Sequence, residues 1–94
     1  MNLTIIPSDG SVYIDGESIG NMNLSFIPEG IHALQWKNSH GWIEYSEDES
    51  GIKKPNEKIT QLPDWVDQAL KVWDTAKKEI EQEFLASQVP VNYQ

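Results

Sequence analysis

Two histidines, several clustered acids and one Ser-His neighbour pair are the residues in this chain whose types could do chemistry. A hydroxyl beside an imidazole suggests nucleophilic catalysis, in which a base takes the hydroxyl proton and an acid orients the base. Ser39 and His40 fail that requirement, because adjacent residues in a tight turn point apart and no orienting acid can be placed. His32 shares an alternating strand face with Leu34 and Trp36, which reads as a partly buried sheet position, while His40 reads as a solvated turn residue. Asp9, Asp15 and Glu17 stand on neighbouring turns, but without the D-x-[DN]-x-[DN]-G spacing of a calcium loop. Glu47-Asp48-Glu49 reads as a solvated acidic loop, and Gly16, Gly20, Gly30 and Gly41 each mark a separate turn instead of forming a phosphate loop. The chain has no cysteine, which removes any thiol nucleophile, disulfide or Cys-containing zinc site. The expectation is a protein that is not an enzyme, with no catalytic residues, no metal and no cofactor.

Charge narrows the partners. The net charge is −8 and arginine is absent. The acids Asp9, Asp15, Glu17 and Glu29 face no Lys at all within residues 1–30, and the rest of the chain nowhere gathers a basic stripe. Nucleic-acid binders need such a stripe, so no nucleic-acid partner is expected. No segment approaches the run of about 18 apolar residues that a membrane span requires, and MNLTIIPSDG lacks the basic start and apolar core of a signal peptide. No membrane partner is expected, and the expected location is a cytoplasm.

The elements that would position any site follow from turn chemistry and periodicity. Asn2–Ile6 is β-prone, Pro7-Ser8-Asp9-Gly10 is a turn, and Ser11–Asp15 reads as a second strand. Asp15-Gly16 is the strongest hairpin signal, since both residues tolerate the positive φ of a type I′ turn, and the chain returns through Glu17–Ile19. Met22–Ile27 reads either as a further strand, with Met22 and Leu24 on one face, or as an irregular segment. After Pro28-Glu29-Gly30, Ile31–Lys37 and Trp42–Ser46 form a hairpin around Asn38-Ser39-His40-Gly41. Glu47–Glu57 is a charged loop, and Lys58–Gln61 is short and extended.

A single long helix follows over Pro63–Gln88. Val66, Leu70, Trp73, Lys77, Ile80 and Phe84 recur at i, i+3/i+4 spacing, with only Lys77 breaking the apolar stripe. Asp67/Lys71 and Asp74/Lys78 are i, i+4 pairs in the favourable order. The fold class is therefore α+β: residues 1–62 a small antiparallel sheet of about four or five strands, residues 63–88 a C-terminal amphipathic helix packed on it, and residues 89–94 a tail, all in one domain.

The four tryptophans mark where sheet and helix meet. Trp36 and Trp42 are expected to pair across their hairpin and, with Trp73, to form the core joining the two halves. Trp65 is the one expected to have a surface role. The apolar positions from Trp65 to Leu85 span about 30 Å at 1.5 Å per residue, whereas short strands reach only about 17–20 Å. The far end of the helix, near Ile80, Phe84 and Leu85, is thus expected to project, either into a dimer or partner contact or beneath a folded-back VPVNYQ tail. Trp65, Val72, Ile80, Phe84 and Leu85 are the candidate partner-facing residues.

The segments SVYIDG, IPEGIHALQWKNSHGWIEY and NEKITQLPDWVDQALKVWDTAKKE together cover most of the chain. With the I-H-A-L-Q-W strand, the W-I-E-Y return and the N-E-x-I-T-x-L-P-x-W helix entry, the chain resembles small proteins encoded among the tail genes of tailed bacteriophages and prophages. Those proteins are grouped with tail-fibre or tail assembly chaperones. The resemblance implies a phage protein of the host cytoplasm that binds a tail or tail-fibre component during virion assembly. It carries no catalytic residue across, because its motifs are core and turn residues. Two further readings stand beside it. One is a minor structural virion protein that self-associates, as a homodimer through the helix. The other is a small acidic inhibitor of a host protein, although Lys71, Lys77 and Lys78 interrupt its acidic stripe.

Overall fold

The computed structural model describes the backbone of residues 1–88 and the side chains of residues 1–84. Strands β1 (Asn2–Ile6), β2 (Ser11–Ile14), β3 (Glu17–Ile19), β4 (Ile31–Lys37), β5 (His40–Tyr45) and β6 (Glu57–Ile59) precede helix α1 (Trp65–Gln88). The strands form one sheet in the order β3-β2-β1-β4-β5-β6, every neighbouring pair antiparallel. The α+β class is as expected, with six strands where the sequence predicts about four or five. The edge strand β3 is the return expected after Asp15-Gly16, and the additional strand is β6, three residues that are too short to announce themselves by alternation.

Local chemistry explains most of the hairpins. Asp15 and Gly16 take φ of 48° and 90°, so the two-residue turn predicted for Asp-Gly links β2 to β3. Between β1 and β2, Pro7–Asp9 form a single 3-10 turn closed by Gly10 in the left-handed region, φ 63°. Gly10 is doubly constrained there, because a Cβ would lie 2.3 Å from the Met22 carbonyl oxygen. That close approach fastens the connection from β3 to β4, whose Met22 N–H donates to the Gly10 carbonyl at 3.0 Å. The connection itself is irregular, not a strand. Leu24 and Ile27 are its buried residues, three apart because the Ile27 N–H turns back onto the Leu24 carbonyl.

The β4–β5 hairpin departs from expectation. Its loop is only Asn38-Ser39, with Asn38 at φ 60°, and Lys37 pairs with His40. Trp36 therefore stands opposite Gly41, and Trp42 opposite Gln35. The two tryptophans do not pair. Trp36 points into the core, where its Nε1–H donates to the Asn38 carbonyl at 3.1 Å, and Trp42 points to the opposite face of the sheet with 38% exposure. A second correction concerns His32. The register shifts between Ile31 and Ala33, so His32 falls at an irregularity and is exposed instead of sharing the inner face.

The core lies between α1 and one sheet face. Leu3, Ile5, Val12, Leu34, Trp36 and Ile43 from the sheet meet Val66 and Ala69 from the helix, with Leu24 and Ile27 from the long connection. The helix begins two residues after the expected Pro63, with Val66 N–H bonded to the Pro63 carbonyl at 3.0 Å. Trp73 packs against this core as expected, whereas its indole nitrogen is buried without a hydrogen-bond partner.

Candidate partner-binding surface

Burial along α1 falls steadily from its first turn outward. Val66 and Ala69 are fully enclosed, and Trp65, Leu70, Val72 and Trp73 are partly buried against the core. Ile80 is 52% exposed and Phe84 61% exposed. Geometry produces this gradient. A helix of 24 residues is about 36 Å long at 1.5 Å per residue, while six strands spaced about 4.8 Å apart span about 24 Å between the outermost axes.

Lys77 stands where the helix leaves the sheet. Its ammonium meets the Glu17 carboxylate at 2.9 Å and lies 5.0 Å from the centre of the Trp73 ring. Its pKa is raised above the usual lysine value, first by the bond to Glu17, against a lowering by burial, with Glu17, Glu81 and Asp74 adding favourable charge. The residue that interrupts the apolar stripe in sequence is thus the polar clasp between α1 and the edge strand β3. Sequence spacing gave no hint of it, because Glu17 lies on a hairpin 60 positions away. Of the two helical pairs, Asp74–Lys78 forms at 3.0 Å, and Asp67–Lys71 is not among the ion pairs of the described residues.

The five candidates consequently separate into two groups. Trp65 and Val72 belong to the margin of the core. Val72 also lines a concavity of about 330 Å³ with Met22, Gln68, Lys71, Ala76 and Glu79. Ile80 lies beyond the clasp, beside a smaller concavity of about 280 Å³ formed with Glu17, Ile19 and Lys77. Phe84 follows one turn later on the same stripe. The Leu85 side chain and the tail lie outside the described residues.

Other chemistry is sparse. Among the described residues, no three His, Asp or Glu side chains gather where they could hold a metal ion. No described helix is long and apolar enough to cross a membrane. In the acidic loop, Asp48 Oδ1 accepts from the backbone N–H of Ser50 at 2.8 Å and of Ile52 at 2.9 Å, so this carboxylate shapes its own turn. Tyr45 donates to Glu57 across the β5–β6 pair, and the Lys54 ammonium sits 5.2 Å from the centre of the Tyr45 ring.

No family model matches the chain, and no curated protein or solved structure matches it either.

Proposed function

We propose that this is a non-enzymatic binding protein that holds a protein partner against the overhanging part of α1. The observation carrying this reading is the loss of burial beyond Lys77, which leaves Ile80 52% exposed on an otherwise core-facing stripe. Large apolar side chains collected on an overhang favour association, because a partner removes that surface from water. The resemblance to phage tail-gene proteins supplies the partner class: a tail or tail-fibre protein bound during assembly in the host cytoplasm. Ile80, Phe84 and Leu85 carry the contact and Val72 lies on the sheet side of it, whereas Trp65, at the other end of α1 about 22 Å from Ile80, belongs to the margin of the core.

The test is co-purification with the tail and tail-fibre proteins of the same genome, each co-expressed with this chain. One of them is expected to form a stable complex that Ile80→Glu weakens at least about tenfold, the cost of leaving a carboxylate in an apolar contact. Failure of every tail protein to bind, with the chain monomeric by light scattering, would overturn the reading. A concentration-dependent dimer broken by the same substitution would instead favour the self-associating virion component.

A further inference from the structure

The sheet face turned away from α1 is a surface distinct from the helix overhang. Register aligns one side chain from each strand in a single row across it. Ser18 pairs with Tyr13, Tyr13 with Thr4, Thr4 with Gln35, Gln35 with Trp42 and Trp42 with Lys58. Tyr13 and Trp42 are therefore three strand spacings apart, about 14 Å, with Thr4 and Gln35 between them. The Thr4 hydroxyl donates to Gln35 Oε1 at 2.7 Å, which holds this floor in place. The row's four central residues, Tyr13, Thr4, Gln35 and Trp42, line a concavity of about 330 Å³ that Lys37 and His40 also border. That volume is at the lower end of the range for small-ligand sites, about 300–1,000 Å³.

The exposure of this row is selective. Inner-face Ile5, Val12 and Leu34 are completely buried and Ile43, beside Trp42 on β5, nearly so, whereas Tyr13 is 40% and Trp42 38% exposed. The solvent face of an antiparallel sheet is ordinarily polar, and the intervening Thr4 and Gln35 obey that rule. Two large aromatics on either side of Thr4 and Gln35 break it. Trp42 has also committed its only donor, since Nε1–H bonds to Glu44 Oε2 at 2.9 Å. What it offers a ligand is the ring itself.

Two aromatic platforms separated by an uncharged hydrogen-bonding floor suit one chemical class well. A sugar ring presents a face of C–H groups whose partial positive charge is attracted to the negative face of an aromatic ring. Its edge carries hydroxyls that both donate and accept, which matches a Thr hydroxyl and a Gln amide. A polyanion is a poorer fit. Lys37, Lys58 and His40 lie on this face, but the chain carries −8 overall and has no arginine for bidentate phosphate contacts. An extended peptide seeking backbone pairing would add to the free edge of β3 or β6 instead of crossing the strands. We infer that the outer sheet face binds a short neutral oligosaccharide, with Tyr13 and Trp42 stacking on two sugar rings and Thr4 and Gln35 reading hydroxyls between them.

The experiment is an NMR titration of the full chain with cellohexaose, chitohexaose and maltohexaose, and separately with oligothymidylate. The Trp42 indole N–H signal, assigned by its loss in Trp42→Phe, and the Gln35 side-chain amide are expected to shift saturably with at least one hexasaccharide. Tyr13→Ala and Trp42→Ala are each expected to weaken that binding about tenfold, the scale of one lost aromatic contact. Ile80→Glu is expected to leave it unchanged, which separates this site from the partner surface. Three outcomes would overturn the assignment: no hexasaccharide moves the two signals, oligothymidylate alone moves them, or both aromatic variants that retain the wild-type amide spectrum bind sugar as the unaltered protein does.

Discussion

At the residue scale, the informative groups are those whose polar atoms are placed against their surroundings. Trp73 and Trp36 make a natural comparison, because both are core indoles but only Trp36 has its N–H bonded. An unmade hydrogen bond on a buried donor costs about 1–3 kcal/mol. Trp73→Phe removes that penalty while opening a small void, so its unfolding free energy is expected within about 1 kcal/mol of the original. Trp36→Phe leaves the Asn38 carbonyl without its side-chain donor and is expected to cost at least about 1 kcal/mol more than Trp73→Phe. Urea denaturation of both variants decides it, and equal losses would show that the Trp73 nitrogen is satisfied in solution.

Tyr45 yields a pH prediction. Its pKa is raised above the usual tyrosine value, first by its hydrogen bond to Glu57, then by burial and by the Glu57 charge. A pKa raised in the folded state means that the unfolded chain releases its proton first as pH rises. The stability contributed by the Tyr45–Glu57 bond is therefore whole below about pH 10, the ordinary tyrosine value, and is lost above it. Lys77, also raised, works in the same direction, so the difference between proteins isolates Tyr45. Tyr45→Phe is expected to show a smaller fall in urea midpoint than the original between about pH 9 and pH 11; parallel falls would contradict it.

At the element scale, the β4–β5 hairpin decides which aromatic is core. Its two-residue loop places Gly41 opposite Trp36, in backbone too close for any side chain. A Cβ at Gly41 would lie 2.0 Å from the Gln35 carbonyl oxygen and 2.9 Å from the Trp36 Cα. Gly41→Ala is expected to destabilise the fold by about 2–3 kcal/mol through forced backbone movement. Gly16→Ala meets nothing within 4 Å, and its cost is confined to the positive φ of 90°. Thermal unfolding should rank Gly41→Ala clearly below Gly16→Ala, and the reverse order would mean that the hairpin holds a different register. Turn residues made both hairpins legible in the sequence. Their registers were not equally legible, because Asp15-Gly16 specifies its own loop length whereas Asn38-Ser39-His40-Gly41 admits several. A change of one residue in pairing moves a whole strand's side chains to the other face, and Trp42 is the residue this misplaced.

At the scale of the molecule, one helix covers one face of a six-stranded sheet and outreaches it, which leaves two surfaces exposed. One is the overhang past the Lys77–Glu17 clasp, and the other is the outer sheet face between Tyr13 and Trp42. Because Ile80 lies beyond the clasp, Ile80→Glu is expected to change unfolding free energy by no more than about 0.5 kcal/mol, as for ordinary surface positions. The same measurement on Val66→Ala, at a fully enclosed position, should show a loss of about 1–2.5 kcal/mol, so that weakened partner binding by Ile80→Glu cannot be ascribed to unfolding.

The sequence by itself determined the antiparallel hairpins, the single helix and the overreach of that helix, because each follows from near neighbours: turn residues, a 3.6-residue period and a length. It also named Ile80 and Phe84 as the end of an apolar stripe. Only the tertiary structure decided that Trp36 is core and Trp42 is not, that Lys77 clasps Glu17, and that Thr4, Tyr13, Gln35 and Trp42 stand in one row. Those facts depend on register between strands far apart in the chain, and register is settled by which side-chain sets bury together once the sheet and helix have met.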